Sequence, residues 1–415
     1  MTKKQLKIAI FHLAFIYSGG GEKLVLQQAG GLSKLGHHVE IFTPVVNEKK
    51  CFPDLTGKYN IKTFLPQIPF IVPEHESFQI LLTCVLAPFI AYRFKDFDII
   101  FAANQPSPWI AWWVKKIVKV PYVSYLAQPT RFLHPRKIDN ETGLYFSKKA
   151  SDSLTALLMD KFKNLISWAD SKSISGSDLV LANGDYVKKL LDSVYKINSV
   201  SCPAGANPSH KVISYASRLR GKLKLGKKTV SKPYILITNR HFAQKRFEYG
   251  IFALSFVLQK HPDYILVITG QETDYTNEIK LLVRRLNLKG KVEFLGYVNE
   301  RHINMLYKNS ALYLYTAPEE DFGMGVVEAL VEGSPVVTWD NAGPGKIVQN
   351  GKDGFLAKPF EASDFSEKVL KIVRSKKLAQ SLSANAYNFG KQKYTLDKHY
   401  KDLETHLISI TCNKY

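Results

Sequence analysis

With 415 residues, 45% of them hydrophobic, the chain can bury more than one core, because single cores stop growing at roughly 250–300 residues. The composition is globular and shows no repeat period or low-complexity block, which sets aside solenoid and disordered architectures. Lys plus Arg number 57 against 36 Asp plus Glu, a formal charge of +21, and such a field attracts phosphorylated substrates, anionic lipid head groups or nucleic acid. The basic residues are dispersed and no nucleic-acid module is recognisable, so nucleic acid is not an expected partner. Cys51, Cys84, Cys202 and Cys412 lie far apart without a CxxC pair, which fits a reduced, cytoplasmic setting rather than a disulfide or zinc scaffold.

The N-terminus is basic, but residues 6–16 then alternate like a strand with no small-residue cleavage site after them, so no signal peptide is expected. A buried strand over 7–13 leads into Ser18-Gly19-Gly20-Gly21-Glu22. Leu24, Val25, Gln28, Ala29, Leu32 and Leu35 then share a helical face that Gly36 ends. With the strand at 38–43, this is a β-loop-α-β unit opening a parallel sheet. The apolar run 80–92 is broken by Pro88 and stopped by Arg93. It is shorter than the ~20 residues a membrane span needs, and it either packs internally or lies on a membrane surface.

Strands are expected at 98–102, 122–126 and 179–182, with helices at 109–118, 161–174 and from 185; residues 200–203 close the half. Residues 207–232 hold eight Lys or Arg and no acid, and read as an exposed, partly helical connector. The rhythm restarts with strands at 234–238, 264–269, 292–295, 311–315, 335–339 and 354–357, separated by helical patterns. The expected class is α/β: a doubly wound N-terminal domain over 1–206, the connector, and a second doubly wound domain over 233–395. A C-terminal helix near 396–415 packs back onto the first domain in this reading.

In open α/β sheets, ligands bind outside the carboxyl ends of the strands. Four loops there carry candidate chemistry. After strand 234–238, Arg240, Lys245 and Arg246 place cations on one loop, suited to a diphosphate. Next, Pro318-Glu319-Glu320-Asp321-Phe322-Gly323-Met324-Gly325 opens a helix that continues to Glu328. Gly323 and Gly325 let backbone N–H groups approach an anion. Glu320 and Glu328 can accept hydrogen bonds from sugar and ribose hydroxyls, whereas Glu319 and Asp321 read as acidic residues capping the first turn. The third loop, Asp340-Asn341-Ala342-Gly343-Pro344-Gly345-Lys346, reads as flexible and able to close on a ligand. The fourth is the glycine loop at 18–22, which is neither GxGxxG nor a GK[ST] phosphate loop. Asp96-Phe97-Asp98 spells DxD, but at the start of a strand, away from the ligand edge, so no metal is expected there.

These residues together resemble glycosyltransferase family 4, whose GT-B fold has two Rossmann-like domains facing a central cleft. Gly20-Gly21-Glu22 and Gly36-His37 are similar to the family's GGxE…GH element. Phe294-Leu295-Gly296-Tyr297-Val298 resembles the segment lining the base pocket, and Glu320 and Glu328 match two glutamates separated by seven residues. The resemblance implies Arg240 and Lys245 on the donor diphosphate and Glu320 on the donor sugar, these three being the catalytic set. It implies Glu328 on the ribose, the backbone of Phe322, Gly323, Met324 and Gly325 on sugar and phosphate, and Gly20, Gly21, Gly296 and Tyr297 completing the donor site. Gln128 and Arg131, in a segment similar to HTPxR, face the acceptor or the sugar. Ala127 stands in place of that motif's His, and Gly345-Lys346 where a Glu is usual.

The implied activity is metal-independent, retaining transfer of a hexose, mannose by preference, from a GDP- or UDP-linked donor to a glycan or lipid-linked acceptor. No cofactor beyond that co-substrate is implied. The alternatives are a nucleotide-sugar epimerase of the same fold and a non-catalytic sugar-nucleotide-binding subunit. The charge suggests peripheral docking on an anionic inner membrane face, with residues 207–232 and Trp112-Trp113-Val114-Lys115-Lys116 as the contacts.

Overall fold

The computed structural model describes residues 5–16, 19–52, 56–69, 74–142, 154–209 and 213–412. Ser18 of the glycine loop, residues 210–212 of the basic stretch and both extreme ends lie outside them. The chain forms two compact units, one of residues 1–204 with 396–415 and the other of residues 205–395.

The first unit is built on β1 (Lys7–His12), β2 (His38–Thr43), β3 (Ile61–Thr63), β4 (Ile99–Ala103), β5 (Tyr122–Leu126), β6 (Leu179–Ala182) and β7 (Val200–Ser201). They lie in the order β3-β2-β1-β4-β5-β6-β7, all parallel. Strands β1, β4 and β5 are buried along nearly their whole length, which is why they read as continuous apolar runs rather than alternations. Phe11, Phe42, Phe64 and Phe94 meet largely edge to face at 4.8–6.1 Å on one side of the sheet.

The helix Leu396–Cys412 belongs to this unit. Its Tyr400 ring lies against Gly31 of the helix Gly20–Lys34, where a Cβ would come within 2.3 Å of the ring. His399 Nδ1 donates to Pro203 O at 2.9 Å while its Nε2 accepts from Gln28 Nε2 at 3.1 Å. Burial outweighs the Pro203 carbonyl, which favours the protonated ring, and pushes His399 down to about 4.

In the second unit β10 (Tyr234–Thr238), β11 (Ile265–Thr269), β12 (Val292–Gly296), β13 (Leu312–Leu314), β14 (Val336–Trp339) and β15 (Gly354–Ala357) form a parallel sheet in the order β12-β11-β10-β13-β14-β15. Both sheets therefore begin in the middle, run to one edge, and resume on the other side of the first strand. The order reverses between β1 and β4 in one unit and between β10 and β13 in the other. Loops leaving the carboxyl edge at such a reversal diverge and leave a crevice for ligands.

The basic stretch 207–232 is partly helical, at Tyr215–Arg218, and largely exposed, as expected, but it is not a separate connector, because much of it is built into the second unit. Lys222–Leu225 (β8) and Lys228–Ser231 (β9) form a hairpin turned by Gly226 at φ 61°. Its Lys-Leu-Lys-Leu alternation buries Leu223 and Leu225 and exposes the lysines, the period of a half-buried strand. Arg218 is fully buried, its guanidinium donating to Tyr307 O, Ser310 O and Glu332 O at 3.3, 3.1 and 2.7 Å. A buried cation is tolerated when several acceptors replace its water, and burial still lowers Arg218 to about 10. Trp112 and Trp113, expected as surface contacts, are half-buried; Trp112 stacks on Trp109 and Trp113 meets it edge to face.

Candidate active site

In the second unit, the loops after β10 and β13 flank the reversal. The first loop is shaped from below. His241 is buried; its N–H donates to Gln271 O at 3.0 Å and its ring meets Thr276 Oγ1 at 3.0 Å. Its ring also packs edge-on against Phe247 and Phe294, and burial lowers its pKa. With His241 fixed, the half-buried Arg240 and Lys245 are carried on either side of it. Gly270 lies beneath, at φ 144°, where a Cβ would fall 1.7 Å from Asn239 O; only glycine fits there. Arg246, at φ 49°, turns the chain into the helix Glu248–Leu258.

The loop after β13 meets the first directly. Lys245 Nζ forms an ion pair with Glu320 Oε2, and Thr316 Oγ1 donates to Lys245 O at 2.7 Å. Both members of the pair are about one-fifth exposed: accessible to a ligand, yet partly shielded from water. Gly323 starts the helix Met324–Val331 at φ 90° with no side-chain cap. No acidic residue lies in its first turn, so Glu319 and Asp321 do not cap the helix as expected. The first N–H groups of a helix have no intrahelical partner, and those at the start of this one leave a positive end.

Glu328, one turn further on, accepts from Tyr307 Oη at 2.9 Å. Tyr307 Oη also meets Thr238 Oγ1 at 2.6 Å, and Tyr313 Oη meets the same hydroxyl at 2.9 Å. Glu328 is thereby tied to the last residue of β10, at the root of the Arg240 loop. The two tyrosines crowd Gly325, whose Cβ, were there one, would come within 2.3 Å of Tyr313 Oη. Thr238, Tyr307 and Tyr313 carried no sequence signal as site residues. They precede Glu328 by 90, 21 and 15 positions, and only the fold gathers them.

The third loop is fastened rather than flexible. Gly343 N–H donates to Glu320 O at 2.9 Å and Asn341 Nδ2 to Pro318 O at 2.8 Å. A Cβ on Gly343 would lie 2.1 Å from Asp321 O. The loop thus braces the Glu320 segment. Gly296 ends β12 at φ 63°, two strands from β10, and Tyr297 beside it is exposed.

In the first unit, Gly20 and Gly21 open the helix Gly20–Lys34 with no side-chain cap. Asn104 after β4, at φ 59°, accepts from Ala127 N at 3.0 Å, and Gln105 Nε2 donates to Gln128 O at 3.2 Å. Arg131 is buried and donates to His134 O at 3.1 Å, so it shapes its own loop. That segment is pinned by Asp170, which accepts from Thr130 Oγ1 and Tyr195 Oη at 2.7 Å each. His12, at the end of β1, is buried with Nδ1 3.2 Å from Ala103 O, and burial lowers it to about 4. Asp98 accepts from Lys7 N at 2.7 Å at the opposite edge of the sheet. Among the described residues, no group of three or more His, Cys, Asp or Glu side chains is placed to hold a metal ion.

Two family models match the chain: Glycosyltransferase Family 4 over residues 18–204 and Glycosyl transferases group 1 over residues 223–389. The alpha-1,3/1,6-mannosyltransferase ALG2 of Dictyostelium discoideum is 22% identical, over 97% of this chain and 98% of its own. Among solved structures, a sucrose-phosphate synthase from Thermosynechococcus elongatus superposes with a TM-score of 0.73 at 18% identity, covering 99% of this chain and all of its own. Anabaena HepE, solved in complex with UDP, gives 0.70 at 16% identity, covering 97% and 100%. These relatives do not favour the epimerase alternative.

Proposed function

The chain belongs to glycosyltransferase family 4, and from that premise we propose that it moves mannose from a nucleotide-diphosphate donor to a glycan or lipid-linked acceptor. The observation that carries this reading is the meeting of Lys245 with Glu320 at the strand reversal, above a helix N-terminus. The ALG2 relative, alike over nearly the whole of both chains, supports mannose. HepE's complex with UDP supports a nucleotide-linked donor.

In the proposed reaction the C1–O bond to the donor diphosphate breaks and a bond from C1 to the acceptor oxygen forms. Charge grows on the departing diphosphate, where Arg240 and Lys245 offer a guanidinium fork and an ammonium. Donors fixed where charge develops act on the transition state. Glu320, displaced from Lys245 as the cation turns to phosphate, accepts from sugar hydroxyls. Glu328, oriented by Tyr307, accepts from the ribose hydroxyls. Backbone N–H groups from Phe322 to Gly325 bind phosphate and sugar, with Gly296 and Tyr297 beside the base. The acceptor's proton passes to the leaving diphosphate on the same face, giving retention without a metal ion. The free thiols of Cys51, Cys84, Cys202 and Cys412 fit a cytoplasmic site of action.

The test is a thermal-shift panel of UDP, GDP, ADP and their sugars, followed by transfer assays with the stabilising donor. Stabilisation by GDP and GDP-mannose, an axial product linkage by NMR and activity undiminished by EDTA are expected. Stabilisation by UDP-sugars alone would overturn mannose from GDP-mannose, and inverted product would overturn the proton route.

A further inference from the structure

Among the described residues, large hydrophobic side chains left exposed are concentrated in one stretch of the first unit, positions 81–168. Scattered exposed apolar residues need no explanation, but a contiguous patch does. One stripe runs along the helices His75–Val85 and Ala87–Ile90 and the turn after them, with Val85, Phe89 and Tyr92 at steps of four and three. Phe89 is 81% exposed. A second stripe runs along Leu154–Lys161 and Lys163–Ser175, with Leu157, Leu165 and Trp168 exposed.

The helix Ser107–Val118 joins the stripes. Trp109 Nε1 donates to Cys84 O at 3.0 Å, and the Trp109 ring meets Trp168 at 6.0 Å. Four of the chain's five tryptophans thus form one cluster, Trp109, Trp112, Trp113 and Trp168. Exposed cations lie on the same elements: Arg93, Lys116, Lys119, Lys161, Lys163 and Lys172, with Asp160 the exposed acid among them.

We propose that this face docks on an anionic lipid bilayer, with Phe89, Tyr92 and Trp168 entering the interface and the lysines meeting the head groups. The first helix has 11 residues, about 16 Å at 1.5 Å per residue, against a hydrocarbon core of about 30 Å. It bends by 69° into the next helix, and no single helix among the described residues is long and apolar enough to cross a membrane. Aromatic rings with one wet side are favoured at that depth, and amphipathic helices with a basic margin bind anionic lipid. The charge selects a membrane over a second copy of this chain. Two such faces would bring lysines against lysines on molecules that each carry +21, whereas anionic head groups complement them.

The full chain would be sedimented with phosphatidylcholine vesicles containing about 30% phosphatidylglycerol and with phosphatidylcholine alone. It is expected to pellet with the anionic vesicles and to release as salt rises from about 50 to about 500 mM. Phe89→Asp and Leu165→Asp, each checked for an unchanged unfolding transition, should weaken partition about tenfold. Phe256→Asp, at an exposed position of the second unit, should not. Brominated lipid should quench the unmodified protein more than Trp168→Phe, a readout that needs no charged substitution. Wild-type protein staying in the supernatant, patch variants pelleting like wild type, or a lipid-free dimer split by Phe89→Asp would overturn the proposal.

Discussion

Two sheets with one winding order serve different ends in this protein. Both units reverse their strand order at the first strand, and both open a helix after a loop there without a side-chain cap. In the second unit that edge carries charge: Lys245 paired with Glu320, Arg240 on the same loop, Glu328 held by Tyr307. In the first it carries buried and neutral groups, His12 on Ala103 O and Asn104 on Ala127 N, and the unit exposes apolar side chains instead. Winding order fixes where a ligand can bind; side-chain charge at the reversal decides which ligand.

The largest test of that contrast is catalytic. Lys245→Ala should lower the transfer rate about 10²- to 10³-fold, the loss seen when one group facing developing charge is removed. Gln128→Ala should cost no more than about tenfold. Equal losses, measured as kcat and kcat/KM, would erase the distinction between the units.

Acid should separate them next. His12 and His399 are held near 4 by burial in the first unit. Their folded values lie below the unfolded value of about 6.5, so their contribution is complete above pH 6.5 and is lost as pH falls towards 4. Each is on the order of 3 kcal/mol. Asp353 in the second unit is raised to about 6 by burial. Its contribution has the opposite sign: present at low pH and lost as pH rises through 6. Segment-resolved hydrogen exchange between pH 4.5 and 7.5 should show the first unit losing protection on acidification while the turn around Asp353 gains it.

Two glycines test packing. Gly31→Ala would drive a Cβ against Tyr400 and loosen the C-terminal helix, and Gly325→Ala would drive one against Tyr313. Overpacking costs about 1–3 kcal/mol. Both should lower Tm, but Gly325→Ala alone should also weaken donor binding. The smallest effect is expected from Tyr307→Phe, which removes one hydrogen bond to Glu328. Donor KM should rise about threefold to tenfold with kcat little changed.

Much of this was legible in advance. Apolar runs placed the main strands of both sheets, and the positions of Arg240, Lys245, Glu320 and Glu328 drew attention to two loops that do meet, at Lys245 and Glu320. Within the basic stretch at 207–232 the burial of Arg218 was not legible, because a cation's default surroundings are water. Arg218 instead finds three carbonyls supplied by distant parts of the chain. The loop at 340–346 looked free because its composition is that of a free loop. Its anchors, Glu320 O and Pro318 O, are backbone atoms of another loop, and no side-chain pattern encodes them.

Local pattern by itself determined the main strands of both sheets, and which loops carry cations, carboxylates and glycines, because periodicity and backbone freedom are properties of neighbouring residues. The tertiary structure alone decided that β10 lies beside β13, bringing Lys245 to Glu320 across 75 positions and Tyr307 to both Thr238 and Glu328. It also decided which apolar side chains stay outside. Contacts of that kind are set by the burial of whole sheets, a cooperative quantity that no short stretch of chain contains.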